Sequence, residues 1–289
     1  MITLNDYLKQ AYGCKAYKLS LQADVTCPNR DGTIGTGGCI FCSMGGSGEF
    51  AADRTKPIPE QIKEAKARVA GKAGAGAKYI AYFQSYTNTY GDPSYLGKLF
   101  AEAISPDEIV TLSVATRPDC ISDEMLDILD DLNRKKPVWV ELGLQTIHER
   151  TAKYIRRGYE LPVYDECVKR LRDRGIKVVT HVILGLPGES KEDMKETVRH
   201  VVSSGSWGIK LQLLHVLKGT DLEKEYLAGR VPVMTMEEYV GLLKELLALI
   251  PDDMTVHRLT GDGPKSLLVA PLWSGDKKKV INAIRKDCF

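Results

Sequence analysis

Six short apolar runs recur along the chain: Ala16–Leu21, Tyr79–Phe83, Ile109–Val114, Val138–Leu144, Lys177–Leu184 and Ile209–Val216. Each has the length of a strand, and the segments between them carry apolar residues at helical spacing. Ile58, Ile62, Ala65 and Val69 mark one such face, and Asp92-Pro93 opens another helix with proline where no amide donor is needed. Ser122 precedes Met125, Leu126, Leu129 and Leu132; Ser190 precedes Met194, Val198, Val201 and Val202. Thr235 with Glu238 has the pattern of a capping box ahead of Val240, Leu243, Leu246 and Leu247. Strands alternating with helices predict an α/β chain with a parallel sheet wrapped by helices. The second to sixth runs begin roughly 30 to 40 residues apart, which suits one βα unit each. Six units fall short of the eight in a closed barrel. The pattern therefore favours an open, partial (β/α)6 TIM-like barrel with its site at the carboxyl ends of the strands, and leaves a doubly wound sheet as the alternative. Residues 1–254 are expected to form this barrel. Residues 255–289, with Thr255–Arg258 and then Lys277–Lys286, read as an added strand and helix, a short C-terminal extension packed on it.

Composition narrows the class. With 289 residues, 43% hydrophobic and 27% charged, the chain has the make-up of a soluble globular protein able to bury a full core. No apolar run approaches the ~20 residues of a membrane span. Met1-Ile2-Thr3-Leu4-Asn5-Asp6 has no basic stretch ahead of an apolar core, so a cytoplasmic protein with no membrane partner is expected. The formal charge of +2 does not by itself call for a polyanionic partner. Basic clusters at Arg156-Arg157, at Lys169, Arg170, Arg172 and Arg174, and at Lys277-Lys278-Lys279 read as solvated helix faces, with a phosphate-contacting surface as the other reading.

Seven cysteines, at 14, 27, 39, 42, 120, 167 and 288, make an odd count that argues against a disulfide framework. Cys167 falls in the helical stripe of Tyr164, Val168 and Leu171 and reads as a small core residue; Cys14, Cys120 and Cys288 are scattered. Cys27, Cys39 and Cys42 are different. They stand at C-x11-C-x2-C in a glycine-rich loop directly after the first strand, and a C-x2-C pair lets two thiolates converge on one centre. Structural zinc closes its sphere with four ligands, and an electron-transfer [4Fe–4S] cluster uses four cysteines. Three cysteines leave one iron of such a cluster open to a small molecule, and the amino and carboxylate groups of S-adenosylmethionine (SAM) suit it. A zinc loop completed by Cys14 remains the alternative on spacing alone.

Several motifs carry a resemblance. Cys27-Pro-Asn-Arg-Asp-Gly32, Gly37-Gly-Cys-Ile-Phe-Cys-Ser43, Tyr86-Thr-Asn-Thr-Tyr90, Thr116-Arg-Pro-Asp119, His181-Val-Ile-Leu-Gly-Leu-Pro-Gly-Glu189 and Leu214-His-Val-Leu-Lys-Gly-Thr220 resemble the YhcC/YtqA-like radical SAM proteins, relatives of the elongator-type radical SAM enzymes. The match spans nearly the whole chain, and the eleven-residue first gap, unlike the three-residue gap of most radical SAM enzymes, matches this subgroup. The resemblance implies a partial (β/α)6 barrel, a [4Fe–4S] cluster on Cys27, Cys39 and Cys42, SAM, and an electron donor such as flavodoxin or ferredoxin. It also implies SAM contacts. Gln84-Ser85-Tyr86 occupies the strand end where relatives bind the SAM amino group, Gln145 matches a SAM-contacting glutamine, and Arg157 an arginine on the SAM carboxylate. His181 falls where relatives face the ribose or adenine with Asp, and Gly185-Leu-Pro-Gly188 lines the adenine region. Ala115 replaces an expected Glu, which moves that contact to Thr116. Lys210, His215 and Lys218 are expected near substrate, and His257–Gly263 across the open side of the barrel. The elongator relationship suggests tRNA, with a wobble-uridine side chain as target. A peptide or metabolite stays open, as does a non-redox zinc-binding module. No TRAM-like, acetyltransferase or cobalamin-binding extension is recognisable, so RNA anchoring would fall to the barrel surface or a partner.

Overall fold

Alternation of apolar strands and amphipathic helices produces the expected repeat in the structure, a computed structural model that describes residues 1–46, 48–74, 76–261 and 263–289. In chain order the elements are β1 (Ile2–Thr3), α1 (Leu4–Tyr12), β2 (Ala16–Leu21), α2 (Ile58–Val69), β3 (Lys78–Phe83), α3 (Pro93–Ile104), β4 (Ile109–Thr116) and α4 (Asp123–Asn133). There follow β5 (Val138–Gln145), α5 (Glu149–Tyr154), α6 (Leu161–Asp173), β6 (Lys177–Leu184), α7 (Lys191–Ser203), β7 (Gly208–Leu213) and β8 (Val216–Leu217). The chain ends with α8 (Asp221–Leu227), α9 (Met236–Leu247), β9 (Thr255–Arg258), β10 (Leu268–Ala270) and α10 (Lys277–Cys288). Caps stop and start these helices where the sequence indicates. Ser122 and Thr235 accept from the backbone three residues on, and both Ser190 and Thr235 form reciprocal capping boxes.

Among the described residues one sheet of eight strands runs β1-β9-β7-β6-β5-β4-β3-β2, with every pairing parallel. Strands β2 to β7 lie in sequence order, so each helix returns the chain to the next position. The sheet is curled rather than flat. Lys210 of β7 donates to the Tyr82 hydroxyl of β3 at 3.1 Å, although four strand spacings of a flat sheet amount to about 19 Å. A doubly wound open sheet would not bring these side chains together, so the partial barrel is the correct architecture.

The two faces of the strands differ in chemistry. Val138, Val140, Leu142 and Leu144 of β5 face the helices, with Leu19 and Leu21 of β2 and Leu211 of β7 in the same apolar layer. The alternate positions face the lumen. At its amino end Ala16, Ile80, Trp139 and Val179 pack against Leu8 of α1, with Tyr7 and Trp207 alongside, closing the barrel from below. That role for β1 and α1 was not anticipated, because a nine-residue helix has little periodicity to read; its stability comes from packing in the lumen mouth. The run Ile209–Val216 divides. β7 ends at Leu213, and Val216 leaves the sheet to pair antiparallel with β10. The recurrence of apolar residues on both sides hides that break. Residues after 254 place β9 between β1 and β7 within the main sheet and α10 beside α9. No helix of the described residues is long and apolar enough to cross a membrane.

Candidate active site

The cysteine loop begins where β2 ends. Its shape is set by Asn29 and Arg30, two residues of the Cys27–Gly32 motif not singled out from the sequence. The Asn29 amide donates to the Arg156 carbonyl at 2.7 Å and to Cys39 Sγ at 3.6 Å. Arg30 passes beneath the loop, its Nη2 donating to the carbonyls of Cys42 and Ser43 at 3.0 and 2.6 Å. Gly38, at φ 72°, is required twice over: the left-handed backbone favours glycine, and a Cβ would stand 3.0 Å from Arg30 Nε. Tyr86 straps the loop to the end of β3, its amide donating to the Gly46 carbonyl and its hydroxyl to that of Met44. Gly46 also has positive φ, and a Cβ there would fall 2.5 Å from the Tyr86 ring. Gly46→Ala is expected to cost roughly 1–3 kcal/mol in a urea melt; an unchanged midpoint would show the strap to be loose.

Cys27, Cys39 and Cys42 line one cavity of about 270 Å³ at the carboxyl ends of the strands. Ligands of a tetrahedral zinc would lie about 3.8 Å apart. Among the described residues the one group of three His, Cys, Asp or Glu side chains with ligand atoms all within 4.8 Å is His148, Asp193 and Glu196. The three sulfurs are therefore more widely spread than the ligands of one ion, as a multi-iron cluster requires. Cys14 cannot complete a zinc site with them: it precedes β2 while the loop follows it, and the six residues between span about 20 Å. Burial pushes the Cys39 thiol up to about 12 in the metal-free chain, so metal must displace its proton to bind.

The positions expected to contact SAM fall around the same cavity, with one exception. Gln84, Tyr86, Thr116, Gln145, Arg157 and His181 all line it. Ser85 does not: its side chain is buried against Gly48, at the bend that follows β3. Tyr86 and Gln145 both hold positive φ, 57° and 69°, without being glycine. Such backbone costs about 1–3 kcal/mol and persists where a site demands it. Gln145 Oε1 is buried with no hydrogen-bond partner, on a residue that lines the cavity. Arg157 is 2% exposed and already engaged, donating to the Thr146 and Tyr159 carbonyls and to Glu149. Beside it Arg117 forms a two-pronged pair with Asp119 and donates to the Arg157 carbonyl. Thr116 shares a hydrogen bond of 2.6 Å with Thr89. His215, Arg258, Gly261 and Gly263 line the cavity and Lys218 does not; Arg258 is the register partner of Lys210, His257 packs on Trp139 and Trp207, and Asp262 falls outside the described residues.

Below this rim lies a charged layer that the sequence reading only touched at His181 and Lys210. Glu141 of β5 is wholly buried. Its Oε1 accepts from Lys18 at 2.6 Å and Ser113 at 2.7 Å, and its Oε2 from His181 at 2.8 Å and from Lys210. Burial alone would raise its pKa, but Lys18 and Lys210 hold it well below the usual carboxylate range. A charge at an alternate position of an otherwise apolar run, as in Val138-Trp-Val-Glu-Leu, was the available signal. Burial, reinforced by Lys210, lowers His181 to about 4, so near neutral pH its Nε2–H donates to Glu141 and Nδ1 is left as an acceptor. Because the unfolded histidine binds a proton near pH 6.5 and the folded one only near 4, stability falls as pH drops through that window, by roughly 2–3 kcal/mol. The slope of urea midpoint against pH from 6.5 to 4 should be shallower in His181→Gln; an unaltered slope would exclude this linkage.

The chain's likeness to known proteins agrees with this geometry. The Radical SAM superfamily model matches residues 30–201, and the Radical_SAM C-terminal domain model residues 206–288. YtqA of Bacillus subtilis (strain 168) is 45% identical over 285 residues, covering 99% of this chain and 88% of its own. YhcC of Escherichia coli (strain K12) is 39% identical over 267 residues, covering 92% and 85%. The solved structure of archaeal Methanocaldococcus infernus Elp3 with an N-terminal deletion aligns with a TM-score of 0.66 at 18% identity, a likeness of fold that covers 91% of this chain and 63% of that one.

Proposed function

Because the chain belongs to the radical SAM superfamily, we propose that this enzyme holds a [4Fe–4S] cluster on Cys27, Cys39 and Cys42 and binds SAM in the cavity they line. The observation that carries the reading is the shared cavity: three thiols spread too widely for one ion, facing the orphaned acceptor of Gln145. When bound, the reduced cluster and SAM supply a 5′-deoxyadenosyl radical that abstracts hydrogen from a substrate carbon. The chain's own groups bind and orient. Gln145 Oε1 accepts from the SAM amino group, and the Arg157 fork, held against Glu149, faces the carboxylate. His181 Nδ1 accepts from a ribose hydroxyl while Glu141 fixes its ring. Thr116, Gln84 and Tyr86 complete the wall. Ser85 acts from behind it, setting the backbone of the strand end.

For the substrate, the kinship of motifs with the elongator branch supports tRNA, with the side chain of a wobble uridine as target, and a flavodoxin- or ferredoxin-type protein as electron donor. The test has two stages. Anaerobically reconstituted protein, reduced with dithionite and given SAM, should release 5′-deoxyadenosine; none from a fully loaded sample would overturn the radical mechanism. Modified nucleosides in tRNA from cells with and without the gene should then differ at the wobble position. Identical profiles would remove tRNA as substrate and leave the radical reading in place.

A further inference from the structure

The turn that follows α5 is strained. Arg156, which is not glycine, holds φ 58°, and Gly158 holds φ 83°; left-handed backbone at an arginine persists only where its surroundings demand it. The turn presents three successive carbonyls to the cysteine loop and its neighbour. Ile155 accepts from the Ile40 amide at 3.3 Å, Arg156 from the Asn29 side chain at 2.7 Å and Arg157 from Arg117 at 2.6 Å.

Asn29 is the centre of this contact. It is 4% exposed, and its own carbonyl accepts from the Gly38 amide at 2.7 Å. Nδ2 stands among the carbonyls of Arg156 and Arg157, at 2.7 and 3.4 Å, and Cys39 Sγ, at 3.6 Å. A carbonyl oxygen can only accept, so the group that faces it is the NH2. The amide oxygen lies toward Gly158, where a Cβ would come within 2.9 Å of it. Arg156 takes one amide hydrogen. The Arg157 carbonyl is already served by Arg117, which leaves the second hydrogen to the sulfur.

We propose that Asn29 is a positioning residue for the cluster: its amide donates to the Cys39 thiolate, fixes that ligand against the turn and raises the reduction potential. This rests on the [4Fe–4S] reading of the three cysteines. Before metal binds, the Cys39 thiol donates to the Arg156 carbonyl at 3.6 Å. Ligation removes that proton and leaves two electron-rich atoms side by side, and Asn29 donates to both. One-electron reduction then adds negative charge to the cluster and its sulfurs, and an N–H aimed at a sulfur favours the more negative state. The electron comes from the one-electron donor, which is oxidised by one equivalent. Asn29 changes how readily it is taken up and moves no proton.

Wild-type protein and Asn29→Leu, reconstituted anaerobically without SAM, are titrated with dithionite in the presence of redox mediators, the reduced cluster being followed by electron paramagnetic resonance. Leucine keeps the volume and removes both donors. At matched iron content the variant should be harder to reduce by about tenfold, a midpoint about 59 mV more negative for one electron. If Asn29→Leu assembles no cluster, wild-type protein labelled with nitrogen-15 in its asparagine side chains decides the point. Its reduced cluster should show a nitrogen-15 hyperfine coupling in pulsed spectra, and the absence of that coupling would overturn the proposal. An unchanged or higher midpoint at matched iron would overturn it too. In a variant that still releases 5′-deoxyadenosine from SAM, that result removes the role of Asn29 alone. Wild-type protein that takes up zinc or no metal would remove the cluster reading itself, and this inference with it.

Discussion

Cys39→Ala protein, reconstituted anaerobically, is expected to retain almost no iron and to lack the broad absorption at about 400 nm that a [4Fe–4S] cluster gives. In the proposed assignment three thiolates are the whole protein share of the coordination, so losing one would leave two irons without a protein ligand. Cys39 is also tied to the scaffold, through the Asn29 amide and the Gly37-Gly38 turn that clears Arg30. The fold itself should persist. The loop lies outside the helices and strands, and the apolar layer around Val140, Leu142 and Leu211 does not depend on it. Far-ultraviolet circular dichroism close to wild type, together with lost iron, is the expected pair of results. Wild-type iron content in this variant would refute the ligand assignment.

Glu141→Ala should be the most destabilising single change in the lumen. It strands Lys18 and Lys210 without the carboxylate that holds them, and removing one partner of a buried ion pair typically costs about 3–5 kcal/mol. For a chain of this size that corresponds to a fall in Tm of roughly 10 °C. Ser113 and His181 lose their acceptor in the same step. Adding Lys210→Met to Glu141→Ala should recover part of the loss, because one of the stranded charges disappears with it. A Glu141→Ala protein that melts with the wild type would mean that water reaches these groups and that the layer is not the buried network described above.

The strand–helix repeat was legible because it rests on local signals. Ala16–Leu21 and Lys177–Leu184 form strands with the bounds read from apolarity, and Thr235 with Glu238 caps its helix as the spacing indicates. The three cysteines were legible as one site because they sit in one loop. Ser85 was misplaced because adjacency in sequence says nothing about which of three neighbours turns inward. The N-terminal plug escaped notice for a related reason: the value of Tyr7 and Leu8 lies in what they meet, Trp139 and Trp207, far along the chain.

The sequence by itself determined the α/β repeat, the gathering of Cys27, Cys39 and Cys42 in one loop, and most of the residues that line the cavity with them, since each is written in residues close together or at fixed spacing. Only the tertiary structure decided that the sheet curls, that the sulfurs spread beyond the reach of one ion, and that Lys18, Tyr82, Glu141, His181, Lys210 and Arg258 form one layer. Those six residues come from six strands. Strand order and curvature, which no local pattern encodes, bring them together, and burial turns ordinary charges into a site.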